Sequence, residues 1–569
     1  MGHADQLLLS TGMNLLAAWP RRIKRLFLPI CLLLGMQGLL NSLWSGLEVR
    51  PVIVGSIISI PGLFLLMLTL SYIRGPLIRA AATGALFLSN YAQFTFQSYF
   101  GRFIGTDELR LAVANPTHEL LASAMLYFST GALVATLATT AIYARAMYVH
   151  RDGDTRIRIR VLASAALIAW CALVDTALPG QRAYSPVVAI AATHLRSGLD
   201  LLQALNQPPL SREEPPSPTG SRADFDVIFI VGESLRADRF HPGAYRRNIS
   251  ANLTSLRLPH VAFSNVASDG DCTNRSLPLL MVEPSQPISA NIFKFPTLFS
   301  YAKAAGYRTS FVTANDNEWR EFIDPHIDFL RRNLAASTHS EQYTFSNDDD
   351  MLPVIAGIAQ SADKHFMVVE SYAAHWPYSD RYESCPLCRR YLPDRTQKPL
   401  SFSPESHREI ENSYDNAVIY FDQFVDQLIR GLTRPSLIVI TSDHGESLGE
   451  AGKWGHCSAG LQQMWVPLVF IATDAIVARA AAFQELQEHR DFPVSHANIF
   501  PTLLRIFGFQ LDTLTRAYNP DLYSVRPEDG ARRRVLVSAI GNTDSESVFR
   551  YIANGHLLED SEPTLSGQR

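Results

Sequence analysis

Neither sign of charge is in excess in this chain of 569 residues: 50 Lys and Arg stand against 54 Asp and Glu, the formal net charge is −4, and the pI is near 6.5. That balance argues against a nucleic-acid partner or an acidic tail protein. Cysteine is scarce, with six in all. Cys31 and Cys171 lie in apolar runs, where cysteine is an ordinary small core residue. "ESCPLCRR" places Cys385 and Cys388 at C-x-x-C spacing, but no second C-x-x-C exists to complete a zinc knuckle. A short-loop disulfide is expected there, with metal binding as the alternative. Cys272 and Cys457 are left over and their pairing is open. No internal repeat is apparent.

Charge is missing most conspicuously from the first 180 residues. Five segments are long enough to cross about 30 Å of hydrocarbon, which takes about 20 apolar residues: 26–47, 51–73, 77–96, 120–143 and 161–178. The second, "PVIVGSIISIPGLFLLMLTLSYI", carries no charge. Its predecessor starts too late, and is followed too closely by another span, for a cleaved signal peptide. Basic residues cluster on one side of these segments, at Arg21, Arg22, Lys24, Arg25, Arg74, Arg79, Arg145, Arg151, Arg156, Arg158 and Arg160. Only Arg50, Arg102 and Arg110 fall on the other. This places the N-terminus in the cytoplasm and, after five crossings, the remainder outside.

Residues 181–224 form a junction. "YSPVVAIAATHLRSGLDLLQALN" has helical spacing of apolar residues, which suits a helix on the membrane surface or one packed on the following domain. "QPPLSREEPPSPTGSR" reads as a linker. Residues 225–569 then alternate short β-branched runs with amphipathic stretches, the pattern of an α/β domain with a mainly parallel sheet. "DVIFIV", "HFMVVES" and "SLIVITSD" are expected as buried central strands, and "YDNAVIYFDQFVDQLIRGL" and "ANIFPTLLRIFG" as helices.

Two of these strands end in polar residues, Gly232-Glu233-Ser234 and Ser442-Asp443-His444-Gly445. Ligands of open α/β sheets bind outside the carboxyl ends of strands, so Glu233, Asp443 and His444 sit where a site is expected. Two carboxylates and an imidazole suit zinc or manganese. A Glu after a strand is by itself often only a helix cap; beside an Asp-His pair it becomes a ligand candidate.

Six segments in order, "VGESLRADRFHPGAYRRNISANL", "SDGDCTNRSLP", "AAHWPYSDRYES", "NSYDNAVIYFDQFV", "ITSDHGESLGEAGKWGHC" and "WVPLVF", resemble the bacterial phosphoethanolamine transferases of the alkaline phosphatase and sulfatase superfamily. The resemblance extends to the membrane half, through the five spans and the loop "YFGRFIGTDELRLAVANP". It implies a periplasmic catalytic domain on a multi-pass inner-membrane anchor. It further implies transfer of phosphoethanolamine from phosphatidylethanolamine to lipid A, lipopolysaccharide core or a periplasmic glucan. Aligning Ser276 and Pro278 with the family's S-x-P brings its nucleophilic threonine onto Thr273. Zinc, or manganese, would be held by Glu233, Thr273, Asp443 and His444. His375 and His456 are implied to hold the substrate phosphate or a second metal. Asn317, in "ANDNEWREF", lies where the family has a substrate-contacting loop, an ordinary turn residue being the alternative.

Chemistry agrees with Thr273 as nucleophile. A threonine hydroxyl is a poor nucleophile at neutral pH, and a divalent ion stabilises its alkoxide as it lowers the pKa of bound water. The surroundings depart from the family pattern: Asp271 replaces a threonine, Cys272 precedes Thr273, Arg275 follows it, and Trp376 replaces a glycine. Arg275 either contacts substrate phosphate or is a plain surface residue. A sulfatase would use Cys272 within C-x-P-x-R, but Asn274 and Ser276 break that pattern. A phosphoglycerol transferase with the same spans and nucleophile, and a non-catalytic membrane regulator of this fold, are the competing possibilities.

Overall fold

The computed structural model describes residues 21–45, 49–70, 73, 75–100, 104, 129–149, 162, 164–170, 212–220, 223–240, 245–282, 295–314, 324–331, 347–372, 374–394, 404–450, 454–457, 460–514, 518–529, 533–536, 549–553 and 556–558. The chain divides into two compact units, one comprising Met1–Gln207 and the other beginning at Pro208.

The first unit is helical: α1 (Arg21–Ser45), α2 (Val49–Leu70), α3 (Pro76–Phe100) and α4 (Thr130–Val149). The first three expected spans fall on α1 to α3. α4 holds the later part of the fourth, and residues 164–170 of the fifth are helical. Counted over the described residues, no helix is long and apolar enough to cross a membrane. Around a buried apolar cluster that includes Ile30, Leu33, Leu63 and Met67, the packing still differs from that of a water-soluble bundle. Leu77, Leu88 and Val134 are 83%, 68% and 62% exposed, whereas Gln37, Asn90, Gln93 and Thr136 are buried. Two of the buried threonines of α4 bond to their own helix, Thr136 Oγ1 donating to Ala132 O and Thr139 Oγ1 to Ala135 O, both at 2.7 Å. The expected junction helix, residues 184–206, lies outside the described residues. The Pro-rich stretch after it is fastened to the second unit: Arg212 Nη1 donates to Phe295 O at 3.1 Å and Gly220 N to Gly508 O at 2.8 Å.

A seven-stranded sheet organises the second unit. Its strands are β1 (Asp226–Gly232), β2 (His260–Phe263), β3 (Arg308–Thr313), β4 (Phe329–Arg331), β5 (His365–Glu370), β6 (Ser436–Ser442) and β7 (Leu468–Ala472). The order across the sheet is β2-β7-β6-β1-β5-β3-β4. Only β7 runs against its neighbours. The three runs read as central strands are β1, β5 and β6, and they are apolar without alternation because both faces are covered. Val227, Phe229, Val439 and Val368 point into one core, and Ile228, Ile230, Ile440 and Val369 into the other.

Three helices matter to the site. α5 (Thr273–Val282) follows the Gly270 turn, α6 (Pro404–Gly431) covers one face and α7 (His496–Ile506) the other. α6 buries Ile410, Tyr414, Ala417, Phe421, Phe424 and Leu428, the three-to-four spacing of a single helical stripe. α7 starts cleanly because Ser495 caps it, its side chain accepting from Ala497 N while Ser495 N donates to Asn498 Oδ1 at 2.8 Å.

Candidate active site

Register in the sheet brings the first ligand candidates together. β1 and β6 are parallel neighbours with Gly232 paired to Ser442, so Glu233 and Asp443 leave the sheet side by side. The Asp443 N–H donates to Gly232 O at 2.9 Å, and Asp443 Oδ1 accepts from Ser234 N at 3.0 Å and His444 N at 2.7 Å. Ser234 turns the chain with φ 61°, left-handed for a non-glycine residue. Such a conformation costs about 1–3 kcal/mol and persists where neighbours over-determine it. Here Tyr414 of α6 does so, donating to Ser234 O at 2.7 Å and accepting from Arg236 N at 3.0 Å.

Thr273 arrives from a different part of the chain, as the first residue of α5. The turn before it is closed so tightly that a Cβ on Gly270 would lie 2.8 Å from Ser276 N. Ser276 ties the start of α5 to the end of β6 by donating its hydroxyl to Asp443 O. The Thr273 hydroxyl is thereby held 3.2 and 3.3 Å from the two Glu233 carboxylate oxygens and 3.1 Å from His444 Nε2.

These residues fit a divalent cation. His444 Nδ1 lies 2.8 Å from Gly445 O, a pure acceptor, so Nδ1 carries the proton and Nε2 presents its lone pair. Nε2 is 3.3 Å from both Glu233 Oε1 and Asp443 Oδ2. Asp443 Oδ2 is buried and accepts no hydrogen bond. Acceptors converging in a buried place are costly unless a cation lies among them. Ligand atoms of Glu233, His444 and His456 also lie within 4.8 Å of one another, so His456 borders the same cluster.

His456 and His375 form a second row, their rings 6.0 Å apart, with the His456 ring 4.4 Å from that of His444. His456 Nδ1 is 2.9 Å from Glu446 Oε2, and Tyr378 donates to Glu446 Oε1 at 2.6 Å. Burial disfavours a charge on His456, but the Glu446 carboxylate overrides it and raises the imidazole pKa above its ordinary value. His375 is driven the other way, well below its ordinary value, by burial and then by repulsion from His456. The His375 ring stacks on Tyr372 at 4.4 Å, and its buried Nδ1 has no hydrogen-bond partner among the described residues. One row thus contains an imidazole that favours its proton and one that refuses it.

Arg275 is buried and its guanidinium lies 3.1 Å from Asp271 Oδ1, an i,i+4 ion pair that couples two of the departures seen around Thr273. Asn317 lies outside the described residues. Three contributors escaped sequence reading. Glu446 and Tyr378 orient His456; Glu446 sits in the "SDHGES" motif, two residues beyond His444, and its acidity there was the available signal. His496 lies 3.3 Å from Ser276 Oγ and 3.4 Å from Thr441 Oγ1, and burial lowers its pKa to about 4. No motif marks it. Cys385 and Cys388 are disulfide-bonded as expected, and Cys272 is joined to Cys457, so Cys272 has no free thiol for sulfatase-type chemistry.

Comparison with known proteins agrees with this architecture. Residues 226–509 match the Sulfatase family. The Kdo(2)-lipid A phosphoethanolamine 7''-transferase of Escherichia coli (strain K12) is 24% identical over 306 residues, covering 50% of this chain and 52% of that protein. Phosphatidylethanolamine transferase Mcr-1 of Escherichia coli is 26% identical over 322 residues, covering 50% and 54%. The chain therefore spans about half the length of the curated relatives it matches. In fold it is similar to the integral membrane protein lipooligosaccharide phosphoethanolamine transferase A (EptA) from Neisseria meningitidis, with a TM-score of 0.60 and 18% identity over 85% of this chain and 99% of that one. Residues 226–509 are thus a Sulfatase-family domain, and the curated relatives named here are phosphoethanolamine transferases.

Proposed function

We propose that this protein transfers phosphoethanolamine from phosphatidylethanolamine to a cell-envelope acceptor, with Thr273 as the covalent carrier. The observation that carries this assignment is the convergence on one hydroxyl of Glu233 and His444, at 3.1 to 3.3 Å. Glu233, Thr273, Asp443 and His444 would hold zinc or manganese. When bound, such an ion supplies positive charge that stabilises the threonine hydroxylate and the phosphoryl oxygens. The Thr273 oxygen adds to phosphorus while the bond to the glycerol oxygen breaks and diacylglycerol leaves. His456, kept proton-rich by Glu446, is placed to give the departing oxygen its proton, and neutral His375 offers a hydrogen bond to the phosphoryl group. In the second step an acceptor hydroxyl oxygen displaces Thr273 and receives the phosphoethanolamine, its proton passing to the now neutral His456.

A lipid donor is consistent with a membrane-embedded first unit. Large apolar side chains exposed on α1 to α4, with Gln37, Asn90, Gln93 and Thr136 buried beside an apolar interior, are what a lipid environment favours. The proposal places five spans in the bacterial inner membrane, the N-terminus in the cytoplasm and the second unit in the periplasm.

To test this, the purified chain is incubated with phosphatidylethanolamine, digested, and the peptide containing Thr273 weighed, alongside Thr273→Ala. A phosphoethanolamine adduct on Thr273, absent from the variant, is expected. Unmodified Thr273 with undiminished activity of the variant would defeat the mechanism. Replacing the donor by phosphatidylglycerol decides the head group. Lipid A, lipopolysaccharide core and periplasmic glucans from cells with and without the protein identify the acceptor.

A further inference from the structure

Cys272 and Cys457 are bonded across 185 positions of sequence, with Cα atoms 4.9 Å apart. Cys272 immediately precedes Thr273, and Cys457 immediately follows His456. The bond therefore joins the turn that presents the nucleophile to the segment that presents the proton-rich imidazole. Around it the Cys457 N–H donates to Asp271 O at 2.8 Å, and Asp271 is paired with Arg275. Cys457 has φ 62°, a left-handed conformation that disfavours a side-chain-bearing residue.

The sheet does not do this job. Glu233 and Asp443 are fixed by strand register, and Thr273 by α5 and Ser276. His456 instead lies just beyond Trp454–Gly455, a two-residue strand paired with Ser447–Leu448. So short a ribbon is a weak anchor. The His456 ring is oriented by Glu446, but the cross-link fixes its backbone relative to Thr273.

We propose that the Cys272–Cys457 disulfide is a positioning element of the active site that makes transfer depend on the oxidation state of this bond. The proposal rests on the transferase function above. Its opening is a thiol–disulfide exchange with a dithiol: two electrons and two protons pass to the Cys272 and Cys457 sulfurs, and the reductant closes to its own disulfide. The chain then keeps Glu233, Asp443 and His444 in place but loses the fixed distance between His456 and Thr273. A displacement of about 1 Å in a reacting group costs on the order of a hundredfold in rate.

The test uses the full-length protein, oxidised and after treatment with dithiothreitol, with opening of the 272–457 bond verified by peptide mass. The readouts are kcat and KM for phosphatidylethanolamine, bound zinc, and hydrogen exchange of the Cys457 amide. Reduction should lower kcat about ten- to a hundredfold, leave KM and bound zinc nearly unchanged, and deprotect the Cys457 amide. Cys385→Ala/Cys388→Ala should show the same sensitivity, whereas Cys272→Ala/Cys457→Ala should be slow and indifferent to reductant. Full kcat in the reduced protein would overturn the proposal, even if the double alanine variant fails to fold. If the oxidised protein transfers nothing, the transferase assignment fails and the amide decides the strap: protection unchanged on reduction overturns it, and lost protection upholds it.

Discussion

Asp443→Asn separates a metal ligand from a structural carboxylate, because the two oxygens of Asp443 have different work. Oδ1 accepts from the Ser234 and His444 amides, and asparagine keeps that oxygen. Oδ2 accepts no hydrogen bond and faces His444 Nε2 at 3.3 Å; asparagine puts an NH2 there. Removing one charge from a buried, paired set costs about 3–5 kcal/mol, or roughly two to four decades in Kd. At zinc about 1,000-fold above the wild-type Kd, binding stabilises the folded protein by about 4 kcal/mol, and the variant by about 1.4 kcal/mol or less. With an unfolding entropy of about 2.1 cal/mol/K per residue over roughly 330 residues, those gains raise Tm by about 6 °C and about 2 °C or less. In the chelated protein the order reverses, since the variant carries one buried negative charge fewer beside Glu233. The assay is thermal unfolding of the full chain with chelator and across a zinc titration. An equal zinc-induced shift in both proteins would refute Asp443 as a ligand.

Thr273→Ser should retain measurable transfer and still form the adduct, whereas Thr273→Ala should lose about a thousandfold or more in kcat; equal rates would exclude a covalent carrier. Glu446→Gln removes the carboxylate that raises the His456 pKa, so the alkaline limb of kcat, where the acid loses its proton, should move to lower pH; an unmoved limb would count against His456 as the acid. His496 is held to about 4 by burial. The unfolded chain thus takes up a proton at this residue that the fold refuses as pH falls from about 6.5 toward 4, which destabilises the fold by up to about 1.4 kcal/mol per pH unit. His496→Asn should reduce that slope by close to one proton, as measured by denaturant unfolding at several pH values. Leu503→Ala empties a fully buried position on α7 and should cost about 2–5 kcal/mol.

The residues legible in the sequence were those whose placement is local. The runs of β1, β5 and β6 announce themselves because strands covered on both faces must be continuously apolar, and the polar residues ending two of them can only lie at the sheet's carboxyl edge. Glu233, Asp443 and His444 follow directly, and Thr273 through the resemblance. What escaped depends on how distant segments meet. Nothing around His496 predicts that α7 delivers its ring to Ser276 and Thr441. The Cys272–Cys457 pairing required knowing that the "KWGHC" segment returns to the nucleophile turn. Arg275 illustrates a third kind of difficulty: its charge left a phosphate contact and a plain surface residue both open, and the structure buries it with its guanidinium at Asp271, an interaction visible only once the turn into α5 is known.

The pairing of β1 with β6 also sets a timetable for biosynthesis. Ser234 and its partner Asp443 are 209 positions apart, and a ribosome adding about 5–20 residues per second needs roughly 10 to 40 seconds to travel between them. During that interval Glu233, joined 40 positions later by Thr273, exists without Asp443 or His444, and β1 has neither neighbour until β5 is made and lacks β6 until its end. The nascent chain therefore offers only a fragmentary ligand set and a bare hydrophobic strand edge. On the proposed ligand set, metal loading follows the completion of β6, and until then the bare strand edge is open to unwanted pairing.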